Sequence, residues 1–171
     1  ESTSPMVVIT LGANDINVDV PAAQQLVSGQ LTFPVTFYTA GISHIVYASA
    51  PAYNLTSTRT SQIDIVPAGF TQLLTLIPGE THEPGKAPHT SGSTTGGRAI
   101  LASTTVPSGK PFTFTVRGVD AYWNTVNVSS SVTMGSSDAS ATIPQASLSL
   151  VAGVTSFTYT PMTIGAQTVV A

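Results

Sequence analysis

The sequence predicts an all-β protein with no significant helix, and three observations carry that reading. No window keeps apolar residues at i, i+3, i+4 and i+7, whereas alternation of period two recurs along the chain. Glycine, proline, asparagine and aspartate punctuate the alternating runs at short intervals, as turns between short strands require. Serine and threonine make up roughly a quarter of the residues, and threonine fits a pleated, half-buried surface.

Taken in order, the first strand is expected over residues 6–11, closed by the turn "LGAND". Leu31, Phe33, Val35 and Phe37 then alternate with Thr32, Pro34 and Thr36, a strand with one dry and one wet face. Pro34 has no N–H for a ladder, which places that strand at an edge or a bulge. Strands over 43–48 and 58–66 lie between the turns "TAGIS" and "VPAG", and residues 72–77 follow. After "VPSGK", Phe112, Phe114 and Val116 alternate with Thr113, Thr115 and Arg117, again predicting one solvated face. Residues 125–133, 155–160 and 167–170 complete the set. Strands of this length and spacing predict a sandwich in preference to a long-stranded barrel.

Composition narrows the setting. Of 171 residues, 42% are hydrophobic, enough for a packed core, while charged residues are only 8%, so hydroxyls cover the surface. Such a surface suits secreted β-proteins. Five scattered basic groups and a net charge of -3 argue against nucleic-acid binding. There is no cysteine, hence no disulfide and no thiolate site, and no apolar run approaches a membrane span. The start at Glu1 carries no signal-like segment, and the chain reads as a mature protein or an excised piece.

The most informative feature is an internal repeat. At an offset of 123, Thr10, Gly12, Asp15 and Pro21 match Thr133, Gly135, Asp138 and Pro144. After a one-residue insertion, Leu26, Phe33, Thr39, Gly41 and Val46 match Leu150, Phe157, Thr163, Gly165 and Val170, which makes Thr168 the counterpart of His44. The first copy has nothing equivalent to 72–124 before it, and the second nothing equivalent to 49–67 after it. The expected division is 1–68, the later part of one repeat, and 69–171, the next repeat without its last strand and with a long Gly/Ser/Thr-rich loop over 78–98.

"VRGVDAYWNTV", followed by "SSDASATIP" and "LVAGVTSFTYTPMTIGAQTVVA", resembles the bacterial immunoglobulin-like repeats of large surface proteins, broadly the invasin and intimin-like kind. The phrase "LIPGET" followed by "PG" is similar to the opening of one repeat type of giant secreted bacterial proteins. The resemblance implies tandem immunoglobulin-like β-sandwich domains of Greek-key type in an extracellular or cell-surface array, and it carries over no catalytic residue.

Candidate sites are few. Glu80, His82, Glu83 and His89 carry the nitrogen and oxygen donors of a zinc-type site, but their spacing fits no ordered-helix motif, and a solvated loop is the preferred reading. Its length points to contact with a neighbouring domain or subunit. Tyr122 and Trp123 offer an aromatic loop tip for a sugar or a partner, set against a structural turn whose tryptophan packs under the next loop. Calcium at an interdomain joint through Asp64, Asp120 or Asp138 is a weaker candidate, since no D-x-D-x-D-G loop exists. Asn54 and Asn127 stand in glycosylation sequons. His44 is read as a strand side chain on a solvent face. No nucleophile elbow or facing carboxylate pair is marked out, so the expectation is a non-enzyme without resident cofactor. The leading expectation is a structural block of a bacterial surface filament, sheath or stalk, with copies of itself or adjacent repeats as partners. Alternatives are an adhesin or carbohydrate-binding module and a noncatalytic domain of a secreted enzyme.

Overall fold

The structure, a computed structural model, describes residues 7–100 and 104–171, apart from the side chains of residues 56–58. The chain forms two compact units, Glu1–Val66 and Pro67–Ala171. Met6, where the first strand was expected to begin, lies outside the described residues.

The first unit holds β1 (Val8–Ala13), β2 (Gln24–Gln25), β3 (Gly41–His44), β4 (Val46–Ala50), β5 (Leu55–Arg59) and β6 (Ile63–Ile65), with one 3-10 turn at Pro51–Tyr53. Four of these form an antiparallel sheet in the order β2-β1-β4-β5, and β3 pairs with β6. The second unit holds β7 (Gln72–Leu76), β8 (Thr81–His82), β9 (Arg98–Ala99), β10 (Phe112–Val119), β11 (Ser131–Thr133), β12 (Gly135–Ser136), β13 (Ser147–Ser149), β14 (Val154–Tyr159) and β15 (Val169–Val170). Its main sheet runs β14-β10-β7, with antiparallel ladders β11–β13, β12–β15 and β8–β9. The described residues are thus nearly all β, and none of their helices is long and apolar enough to cross a membrane.

Alternation along β10 decides where the core of the second unit sits. Phe114 and Val116 project to one face and pack with Val132, Met134, Leu150, Phe157 and Tyr159. Val119 projects to the other face and packs with Leu74, Leu76 and Trp123. The Thr115 and Arg117 face was expected to be wet, yet both side chains are half-buried, because residues 77–82 fold over it. β10 is therefore covered on both sides, as the central strand of a layered structure must be.

The repeat is reproduced in the hydrogen bonds. Asp15 Oδ1 accepts from the Asn17 N–H at 2.9 Å and from the Thr39 hydroxyl at 3.0 Å. Asp138 Oδ1 accepts from the Ser140 N–H at 3.0 Å and from the Thr163 hydroxyl at 2.8 Å. Val8 and Ile9 face Gln25 and Gln24 as Ser131 and Val132 face Ser149 and Leu148. Bridges Asp19–Thr36 and Val27–Gln30 recur as Thr142–Thr160 and Val151–Val154.

One register differs from the sequence alignment. Gly12 faces Tyr47 as Gly135 faces Val170, and Asn14 Oδ1 accepts from Ile45 N–H as Ser137 Oγ accepts from Thr168 N–H. Val46 therefore corresponds to Val169, and His44 to Gln167. The extra residue of the first copy is absorbed between Gly41 and His44, where the β3–β6 register slips and Ser43 takes a φ of 71°.

Two other expectations change. Residues 31–35 keep alternating half-buried and exposed side chains but join no ladder among the described residues. Their counterpart β14 is a strand because β10 pairs with it, and among the described residues no strand pairs with 31–35 in that way. A ladder needs a partner as well as a pattern. His44 is 8% exposed and packs against Phe37, with ring centroids 5.2 Å apart, because the slip at the bulge turns it inward rather than to solvent.

Candidate functional site

The two groups of candidate residues meet on the second face of β10. The chain leaves β10 at Val119 and turns through Asp120–Asn124. Asp120 is 1% exposed, so its carboxylate needs compensating donors. They come from Tyr122 N–H at 2.8 Å, Asn124 N–H at 2.9 Å, the Asn124 side-chain amide at 3.0 Å and Ala68 N–H at 2.9 Å. The resulting turn puts Trp123 at a φ of 68°, a left-handed conformation that a bulky residue adopts only when its surroundings fix it.

Residues 78–98 supply those surroundings. The Trp123 indole N–H donates to Pro88 O at 2.9 Å, and the His82 Nε2–H donates to Trp123 O at 2.6 Å. Gly85 N–H donates to Tyr122 O at 2.8 Å. Gly96 and Gly97 lie flat on the ring: a Cβ on Gly97, whose φ is 70°, would stand 2.5 Å from Trp123 Cγ, and one on Gly96 would strike Pro88 O. Glycine alone permits that approach. Behind it, Lys86 reaches Arg98 O at 2.7 Å and pairs with Glu83, and Arg98 pairs with Glu80 at 3.4 Å. The loop is folded onto its own sheet, with 2% of Trp123 exposed beneath it.

Every residue of the zinc-type candidate is committed to this framework. Glu80 Oε2 accepts from Ile77 N–H at 3.0 Å, Glu83 pairs with Lys86, and His89 Nε2–H donates to Gly85 O at 2.8 Å. No three histidine, aspartate or glutamate side chains gather as a metal cluster among the described residues. Burial, more than any other influence, pushes the His82 imidazole below its ordinary 6.5, the Arg117 guanidinium adds to this, and the bond to Trp123 O opposes it. His82, Glu80, Thr113, Thr115 and Arg117 line a polar cavity of about 610 Å³ between loop and sheet.

No family model, curated protein or solved structure matches the chain.

The remaining candidates are placed as follows. Tyr122 is 38% exposed, its ring meeting His89 edge-on at 5.1 Å, while Trp123 presents no face to an outside partner. Asp64 Oδ1 accepts from Ser43 N–H at 3.3 Å in the first unit. In the second, Asp138 takes donors from Thr163 and Met162 backbone N–H groups at 2.9 and 2.8 Å, which with the Thr163 hydroxyl and Ser140 N–H hold its carboxyl down to about 2. Asn54 and Asn127 are both exposed, Asn54 at a φ of 53° after the 3-10 turn. Sequence reasoning missed Lys86, Pro88, Arg98 and Arg117 as parts of the framework. Only the Gly96–Gly97 pair marked the place where backbone meets a large side chain.

Proposed function

We propose that the chain is a structural building block of an extracellular bacterial surface assembly, a filament, sheath or stalk of tandem immunoglobulin-like β-sandwich repeats with Greek-key connections, completed by strand addition between subunits. The observation that supports this most is the repetition of one hydrogen-bonded frame, Asp15 with Asn17 and Thr39, then Asp138 with Ser140 and Thr163. A frame copied in bond pattern as well as in residue type is what an array of stacked units calls for. The hydroxyl-rich, charge-poor surface and the two exposed sequon asparagines accord with an exterior setting. In this reading the role is mechanical, needs no catalytic step, cofactor or metal ion, and takes copies of the chain or adjacent repeats as partners. Light scattering and electron microscopy across a concentration series test it: linear assemblies that grow with concentration are expected, and a monomer at every concentration refutes it. Tyr122 favours a second reading, an adhesin or carbohydrate-binding module, because an exposed ring beside a histidine can stack on a sugar. Loss of glycan binding in Tyr122→Ala would support that reading.

A further inference from the structure

We infer that the polar cavity between residues 77–82 and β10 is a binding site for an acidic sugar, a uronate whose carboxylate meets Arg117 and whose hydroxyls meet the acceptors around it. The inference stands apart from the assembly reading above, and the site is not the Tyr122 tip, which does not line it. The cavity holds about 610 Å³, a volume in the range of small-ligand pockets, and its lining comes from residues 76–82 and 113–117 of the second unit. Its place follows from β10, whose Thr113, Thr115 and Arg117 alternate onto the face that residues 77–82 cross.

Arg117 supplies the charge. By register it stands between Leu74 of β7 and Val154 of β14, with an apolar neighbour on either side. Its Nη1 donates to Thr125 Oγ1 at 3.4 Å, its Nε is buried without a hydrogen-bond partner, and no carboxylate pairs with it among the described residues. A half-buried guanidinium without a counter-ion favours a planar anion that it can hold through two parallel bonds. Glu80 is already paired with Arg98 at 3.4 Å, so the cavity is left with one positive charge and suits one negative charge. The rest of the lining accepts hydrogen bonds. His82 gives its Nε2–H to Trp123 O at 2.6 Å and, held below its ordinary 6.5 chiefly by burial, keeps Nδ1 as an acceptor at neutral pH. Both bonds to the Glu80 carboxylate go to Oε2, which leaves Oε1 as a second acceptor. The hydroxyls of Thr113 and Thr115 can donate or accept. An acidic side chain brings a carboxylate with no donor beside it, and phosphate brings more charge than one guanidinium balances. A uronate brings one carboxylate and a ring of hydroxyl donors.

The test titrates D-glucuronate into the full chain at neutral pH and follows backbone amide and arginine side-chain signals by NMR, with D-glucose, acetate and inorganic phosphate as comparison probes. Saturable shifts at His82, Thr113, Thr115 and Arg117 are expected with glucuronate, and each comparison probe should bind about tenfold more weakly or worse, since none joins a single carboxylate to hydroxyl donors. Arg117→Gln should weaken glucuronate binding by about tenfold or more, because it removes a charge-assisted pair. Lys110→Gln, an equal loss of charge at an exposed turn, should leave it unchanged. Thr113→Val, at an exposed strand position that valine fits, should weaken it by about threefold and decides the matter if Arg117→Gln disturbs the fold. Absence of saturable shifts overturns the inference. Acetate binding as tightly as glucuronate overturns it in favour of a bare carboxylate site, and equal binding of glucose or phosphate overturns it likewise. Shifts confined to His89 and Tyr122 overturn it in favour of the aromatic tip. None of these results depends on the scattering experiment, so the assembly reading stands or falls separately.

Discussion

Replacing Trp123 tests the claim that the 78–98 loop is held by one side chain. The indole is 2% exposed, bonds Pro88 O at 2.9 Å and supports the flat Gly96–Gly97 segment. Trp123→Ala removes that packing and leaves a cavity under the loop, a loss of about 3–5 kcal/mol from the second unit. The backbone supplies a sharper comparison. At a φ of 68° a non-glycine residue carries about 1–2 kcal/mol of left-handed strain, which glycine does not. Trp123→Gly should therefore be about 1 kcal/mol more stable than Trp123→Ala, although it removes more atoms. Because this is the chain's single tryptophan, urea unfolding is followed by circular dichroism, and exchange of the 78–98 amides reports the loop separately. A Trp123→Ala variant within about 1 kcal/mol of wild type, or a glycine variant less stable than the alanine one, would refute the reasoning.

Three further outcomes follow from the same geometry. Gly97→Ala combines a positive φ with a 2.5 Å approach to the ring and should cost about 2–5 kcal/mol, whereas Gly109→Ala, at a φ of 76° in open space, should cost only about 1–2 kcal/mol by the same denaturation assay. Asp138 binds a proton less readily folded than unfolded, so its contribution is present above its ordinary 3.8 and is lost as pH falls through about 2; Asp138→Asn should flatten the pH–stability curve in that window. His82, held below 6.5, likewise contributes fully above 6.5 and loses that contribution as pH falls through its lowered value; NMR titration of its ring should show the shift, and His82→Gln should abolish this part of the pH dependence.

What was legible in the sequence is what depends on the identity of a residue at a fixed place. Asp15 with Thr39 and Asp138 with Thr163 were visible as matched letters because a carboxylate and a hydroxyl tie the same turn in each copy. The alternation of 112–119 was likewise visible, because one face of β10 is apolar. Features supplied by distant chain were not legible. The wet face expected for Thr115 and Arg117 is covered by residues some 35 positions earlier, and nothing local to Trp123 says that Pro88 and two glycines close over it. The strand expected at 31–37 has the right side chains, yet among the described residues no neighbour forms a ladder with 31–35. Residues 125–130 read as the start of a long strand, yet Val126, Val128 and Ser130 bond Gly118, Gly153 and Leu150 in turn, so they cross between partners instead of following one.

The 78–98 loop is pinned at both shoulders, by Gly85 and Pro88 on one side and Gly96 and Gly97 on the other, while Thr90, Ser91, Gly92, Thr94 and Thr95 are exposed. Its crown meets these anchors at Ser93, whose Oγ accepts from the Gly96 N–H at 2.9 Å, while Ser91 and Gly92 stand outward of that bond. Extra sequence spliced at Ser91–Gly92 would be displayed on a rigid collar, which makes this position a practical port for an epitope, an affinity tag or a labelling group.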